Sequence, residues 1–214
     1  MRIPSEWTFQ SEEIAAGFDQ HVREQLPWYD MLTDSVAHIA RHYIAEASVV
    51  YDLGCSTGNI GETLSETLRS RSAKLIGIDE SVEMRSRYRA PGEFLCEKLE
   101  TFSPEPFSVA ICFLVLMFMG KASRRDLLER LKAAAEPGGA VIIVDKLDPR
   151  GGSFGTAISR LSLAAKLSAG ISPEEILQKE LSLAGVQRPL TRDEIIGEQF
   201  FMFGDFIGTV WVNE

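Results

Sequence analysis

The sequence predicts a doubly wound α/β fold: a mostly parallel sheet with helices ahead of it, a helical lid and a closing antiparallel hairpin. Three observations carry this. From Val49 onward, short apolar runs alternate with amphipathic stretches of about 10–15 residues, the rhythm of right-handed βαβ units. The first run, "VVYDLG", passes straight into "CSTG" and then into a helical pattern, a junction that brings the backbone close to a ligand. Towards the end, "EQFFMF" and "FIGTVWV" flank Gly204-Asp205, a pair suited to a two-residue hairpin turn.

Residues 1–47 read as an N-terminal helical cap. "SEEIAAGFDQHVREQL" opens on Ser11 with Glu12 and Glu13 in its first turn, and Pro27 breaks it. "WYDMLTDSVAHIARHYIAEA" then sets Met31, Leu32, Val36, Ile39, Ala40 and Tyr43 at helical spacing. Residues 48–147 form the α/β core. Strands are expected at "VVYDLG", "KLIGIDE", "GEFLCEKLE", "FSVAICFLVLMFM" and "AVIIVDK". Helices are expected at "NIGETLSETLRS", "SVEMRSRYRA" and "SRRDLLERLKAAAE", with Pro137-Gly138-Gly139 turning into the fifth strand. Residues 148–190 are helical with Gly-rich joints and are too long for a plain connection, which makes them a lid. Residues 191–214 close the sheet, and the whole is one domain.

Of the 214 residues, 45% are hydrophobic and 25% charged, which excludes wholesale disorder. No apolar run approaches the ~20 residues of a membrane span, and "MRIPSEWTFQSEE" lacks a signal-peptide core, so a cytoplasmic protein without membrane partners is expected. The net charge of −9 argues against a generally basic nucleic-acid binder. Nucleic acid stays open only through local patches at Met84–Arg89 and Arg124-Arg125, for which a solvated helix face is the plainer account. Cys55, Cys96 and Cys112 show no paired spacing and lie in or beside apolar runs, so buried free thiols are expected rather than a nucleophile. His38 and His42 stand one turn apart without the acidic residue of a metal motif, and no metal is expected.

The glycine loop holds the chemistry. In an open α/β sheet the ligand crevice lies beyond the carboxyl ends of the strands, and Asp52 to Gly58 sits at such an end. Asp79 follows Gly54 at about the 20-residue offset of a ribose-binding acid. A dinucleotide is disfavoured, because Ser56 stands where the second glycine would admit a pyrophosphate. Asp52, just ahead of the loop, repels phosphate and welcomes an ammonium or sulfonium. An adenosine with a cationic amino-acid tail fits, and S-adenosylmethionine (SAM) is the expected cofactor.

With "VVYDLGCSTG", "LIGIDES" and "LKAAAEPGGAVIIVDK" in this order, the chain resembles the Rossmann-like class I SAM-dependent methyltransferases from Val49 to Lys146. "WTF", "FDQHV", "PWY", "SPEEILQKE" and "FMFGDFIG" extend the resemblance to the carboxy-SAM synthase branch and to phage-encoded methyltransferase-like proteins. It implies a cofactor site of Tyr29, Asp52, Gly54, Cys55, Ser56, Gly58, Asp79, Glu80, Met84, Lys98, Leu99 and Phe113. Tyr29 would reach the methionine end, and a homodimer is implied by analogy.

The departures matter as much. The branch's arginine for the extra carboxylate of carboxy-SAM is replaced by Glu180, which would repel that group and attract a cation. Lys98 stands where an acid usually meets the adenine amino group, Phe113 where a polar residue usually follows strand four, and the helix before the hairpin is largely missing. Methyl transfer to an unidentified small molecule or tRNA is therefore the expected activity. A carboxy-SAM synthase-like transferase and a non-catalytic SAM-binding protein are the alternatives. Tyr29, Lys146 and Glu180 are the candidates on the acceptor side; the structural alternatives are a core aromatic, a solvated strand end and a surface helix residue. "CFLVLMF" after strand four lacks the Asn/Asp-Pro-Pro-Tyr/Phe of enzymes that methylate a DNA base amine.

Overall fold

The structure, a computed structural model, describes residues 3–149 and 151–214; the first two residues of the expected cap and residue 150 of the expected lid lie outside the described residues. Helix α1 (Glu12–Gln25) starts at Ser11, whose side chain accepts the Ile14 N–H, and α2 (Tyr29–Tyr43) follows the Pro27 break. The core then runs β1 (Val49–Leu53), α3 (Asn59–Thr63), α4 (Ser65–Ser70), β2 (Lys74–Asp79), α5 (Val82–Arg85), β3 (Glu93–Cys96) and β4 (Phe107–Phe113). It continues through α6 (Lys121–Ala134), β5 (Ala135–Lys146), the lid helices α7 (Gly152–Ser168) and α8 (Pro173–Ser182), and the strands β6 (Glu198–Phe203) and β7 (Phe206–Val212).

The seven strands pair in the order β3-β2-β1-β4-β5-β7-β6. The first five pair in parallel, and β7 enters antiparallel between β5 and β6. Alternation along the strands divides the core. Tyr51, Leu53, Ala110, Cys112, Val141 and Ile143 meet Leu127, Leu128 and Leu131 of α6 on one face. Val50, Val109, Ile111, Ile142 and Val144 meet Leu32, Val36 and Ala40 of α2 and Ile60, Leu64 and Leu68 of α3–α4 on the other. β4 is buried along its whole length, as a central parallel strand requires.

Several local expectations are corrected. The helix expected over 81–90 stops at Arg85, because the chain turns back so that Tyr88 packs on Phe94 and Arg89 bonds Asp19 and Glu62. Arg87 pairs with Glu12 at 2.6 Å, so two of the three arginines in this run, Arg87 and Arg89, are held by carboxylates of α1. Arg124 is neither patch nor solvated face. It is 3% exposed and holds Glu194 through two bonds of 2.6 Å. Cys55 and Cys112 are buried, but Cys96 is exposed on the edge strand β3. Pro137, Gly138 and Gly139 lie in an irregularity of β5, which already pairs at Ala135. Among the described residues between α8 and the hairpin, helical structure is confined to a short 3-10 turn, Arg192–Glu194. No helix among the described residues is long and apolar enough to cross a membrane.

Candidate functional site

The carboxyl ends of β1, β2 and β4 open into a cavity of about 520 Å³, roofed by α1, α7 and α8. Its floor is the loop after β1. Gly54 has φ +72°, and a Cβ there would collide with the Val115 side chain, so both conformation and space demand glycine. The Gly54 and Cys55 N–H groups donate to the Ile78 carbonyl at 2.7 and 3.0 Å, tying the loop to the end of β2. Asp79 continues the tie: its carboxylate accepts the Ser56 N–H and the Ser81 N–H, each at 2.9 Å. Both oxygens keep a lone pair for a ligand hydroxyl. Ser56 itself has φ +50°, a strained value for a residue other than glycine.

Asp52 lies beneath this loop, 1% exposed, with Oδ2 lacking any hydrogen-bond partner. Burial, and then the nearby Asp79, push its carboxyl up to about 7, against a single opposing bond from the Gly61 N–H. A buried acid with a free oxygen at the foot of a cavity is where a cationic ligand would be stabilised. Cys55 is different in kind: burial and the two acids raise its thiol far above the ordinary value, so it stays protonated.

The cap is fastened to the loop by a hydrogen-bonded cluster. Asp19 of α1 accepts from Thr57 Oγ1 at 2.6 Å, Asn59 Nδ2 at 2.9 Å and the Arg89 guanidinium at 2.8 Å. Burial opposes its ionisation, but these donors hold Asp19 below the usual carboxylate range. Asn59 Nδ2 also reaches the Tyr29 hydroxyl at 3.2 Å, and the Tyr29 ring stands edge-on to Phe113 with centroids 5.4 Å apart. Burial raises the Tyr29 phenol well above its ordinary value, so it can donate a hydrogen bond but not act as a base near neutrality.

Opposite the loop, the chain leaves β4 through Leu114 at φ +58° and forms a short 3-10 turn, Leu116–Phe118. Asp145, at the end of β5 and fully buried, fixes that turn by accepting the Leu116 and Met117 N–H groups at 2.7 and 3.3 Å. The lid adds charge. Glu180 pairs with Lys166 of α7 at 2.9 Å, and Lys146 lies 3.0 Å from Gln187 and 3.5 Å from Asp205. Despite burial, Lys166 holds the Glu180 carboxyl below its usual range. The Trp7 N–H donates to the Ser182 carbonyl at 2.9 Å, joining the N-terminal segment to α8.

Of the residues singled out from sequence, Tyr29, Asp52, Gly54, Cys55, Ser56, Asp79, Glu80, Leu99, Phe113, Lys146 and Glu180 line this one cavity. Gly58, Met84 and Lys98 do not. Gly58, at φ +91°, precedes α3; Met84 is fully buried behind the loop, taking the Ser56 hydroxyl on its sulfur at 3.3 Å; exposed Lys98 reaches out to Glu80 at 3.9 Å. The expectation that Glu180 offers a free negative charge is also corrected, since Lys166 already neutralises it. Asp19, Asn59, Asp145, His21 and Lys179 escaped the sequence reading. Only the polar "FDQHV" within an amphipathic helix hinted at any of them. His38 and His42 are exposed, and among the described residues no group of three or more potential metal ligands converges.

A family model described as "Methyltransferase domain" matches residues 50–139. A carboxy-S-adenosyl-L-methionine synthase from Staphylococcus epidermidis is 30% identical over 193 residues, covering 88% of this chain and 84% of the relative. One from Shewanella sediminis is 28% identical over 196 residues, covering 87% and 81%. Among solved structures, magnesium protoporphyrin IX methyltransferase from Synechocystis PCC 6803 with bound SAH aligns at a TM-score of 0.58 and 15% identity, covering 93% and 94%. A plantazolicin methyltransferase in complex with SAH also aligns at 0.58, with 20% identity, covering 85% of this chain and 65% of that one. At these identities the structural likenesses establish the fold.

Proposed function

Because this chain belongs to the class I SAM-dependent methyltransferase family, with carboxy-SAM synthases among its relatives, we propose that it transfers the SAM methyl group to a small acceptor held beneath the lid. The observation that carries this is the unpartnered Asp52 oxygen, buried at the foot of a cavity between the glycine loop and Asp79. The residues present fit the cofactor. Asp79 would accept from ribose hydroxyls, the loop from Gly54 to Ser56 would lie against the nucleoside, and Asp52 would face the cationic amino-acid tail. Leu99 would border the adenine, and Glu97 and Glu100, which also line the cavity, supply acids near the place where Lys98 was expected.

When bound, SAM supplies a methyl carbon that an acceptor lone pair attacks in line, the C–S electron pair passing to sulfur. The chain's own work is to orient and to exclude water, which contributes several kcal/mol without a dedicated base. Tyr29 closes the inner wall, with its hydroxyl held by Asn59. Glu180 and Lys146, each already partnered, serve as polar walls, and neither is placed as a free base. The direct test is calorimetric titration with SAM and SAH, followed by transfer of isotope-labelled methyl to a cell extract. Tight SAM binding with labelled product supports the reading, and no binding of either nucleoside overturns it.

A second reading draws on the relatives' name, a synthase of carboxylated SAM, and on the lysines that line the lid side of the cavity. Mass spectrometry of the nucleoside that stays with the purified protein separates the two, because carboxy-SAM carries the additional carboxylate.

A further inference from the structure

Away from the glycine loop, the cavity runs into a corner between α1 and α8 that the cofactor assignment does not use. Lys179 Nζ lies over the indole ring of Trp7, and His21 is stacked on the same ring with centroids 5.4 Å apart and an interplanar angle of 23°. Lys179 is 8% exposed, and among the described residues it pairs with no carboxylate; the nearby Glu180 is already engaged by Lys166. Gln25, one turn beyond His21 on α1, completes the corner. His21 and Gln25 are 9% and 8% exposed, line the cavity, and leave Nε2 and Oε1 without hydrogen-bond partners. Buried polar atoms are ordinarily satisfied, so two unpartnered atoms beside a lysine that pairs with no carboxylate among the described residues mark a place where something else completes the bonding.

We propose that Lys179, His21 and Gln25 form an acceptor subsite that takes a single carboxylate carried on a small, largely apolar molecule. This deepens the methyl-transfer reading and rests on it. The charge balance selects the anion. Lys166 and Glu180 cancel, so Lys179, protonated as the ligand arrives, balances one negative charge and not a phosphate dianion or a nucleic-acid backbone. The walls select the rest of the molecule, since Trp7, Phe9, Phe18, Phe118 and Leu163 border the same space. His21 Nε2 adds a second polar contact, and Gln25 Oε1 accepts from a hydroxyl or amine of the ligand.

The energetics agree with the geometry. Burial, with Lys166 alongside, pushes Lys179 down to about 6, against a weak opposing pull from Glu180. Burial and the two lysines bring His21 down to about 4, so it is neutral near pH 7. The titratable groups facing Lys179 are thus His21 from α1, Lys166 from α7 and Glu180 from α8. An arriving carboxylate restores the charge on Lys179, so binding at neutral pH takes up a proton.

The test uses phenylacetate, its neutral isostere phenylacetamide, and phenylethylamine, titrated into the whole protein with and without SAH. Calorimetry in buffers of different ionisation enthalpy counts the proton, and tryptophan fluorescence reports contact at Trp7. Phenylacetate should bind about ten-fold tighter than the amide, with proton uptake, as one charge-assisted hydrogen bond warrants. Lys179→Met should erase that preference while retaining SAH affinity, which also certifies its fold; Lys179→Arg should keep most of it. Equal affinities for acid and amide, a preference for the amine, or a preference that survives Lys179→Met overturns the subsite. Failure of SAH to bind would instead fell the cofactor assignment, and the acid titrations would still decide the subsite by themselves.

Discussion

At the scale of single residues, Asp52 makes the sharpest demand. Its carboxyl lies near 7 in the free protein, and a cationic ligand tail against it favours the ionised form. SAM binding should therefore release a proton below about pH 7, and affinity should weaken by up to about ten-fold per pH unit on acidification. Calorimetry across that range checks this, and Asp52→Asn should flatten the dependence. Gly54 is as exacting in a steric sense. Gly54→Ala must adopt a left-handed φ and displace Val115, so it should cost about 2 kcal/mol or more in urea unfolding and weaken SAM binding further. Both residues were legible in the sequence, because a glycine and an acid beside a strand end have few other uses. Lys179, His21 and Asp19 were not, because each gains its meaning from a partner on a distant segment: Trp7 from the N-terminal stretch, or Thr57 and Asn59 from the loop.

At the scale of elements, the strands were readable from apolar runs and the hairpin from Gly204-Asp205, since period and turn chemistry are local properties. The exit from β4 was not. A leucine at positive φ has no sequence signature, and the turn there is fixed by Asp145, a residue of the next strand. The same limit hid the joint between α6 and the segment that follows the lid. Arg124 looked like surface charge, but its guanidinium is clasped by Glu194 and also donates to the Arg188 carbonyl at 2.6 Å. Burial resists the charge on Glu194, but Arg124 and Thr191 bring its carboxyl down to about 2. Glu194→Gln leaves a buried guanidinium uncompensated and should destabilise by about 3–5 kcal/mol, read from the urea midpoint. The double variant Arg124→Met, Glu194→Leu should recover much of that loss.

At the scale of the whole molecule, the buried ionisable groups set how stability varies with pH. Asp52 and Asp145 both lie near 7 when folded and near 3.8 otherwise, so the folded state holds protons that the unfolded chain has released. Stability contributed by their neutral forms falls as pH rises through that interval. His21, lowered from 6.5 to about 4, works in the opposite sense, because the unfolded chain then binds the extra proton. Two carboxyls outweigh one imidazole, the lowered acids act mainly at more acidic pH, and Lys179, lowered to about 6, opposes the trend only above that point, so stability should decline between about pH 4.5 and 6. Urea titrations at several pH values test the slope, and Asp52→Asn should reduce it. The cavity roof has a consequence for timing. It is sewn to the rest of the molecule by the N-terminal segment, with Trp7 bonded to Ser182 and Asp19 to the loop. A molecule beneath it leaves only when that seam parts, so the residence time of bound SAH should shorten when the seam is weakened, as stopped-flow release from an Asp19→Ala variant would show.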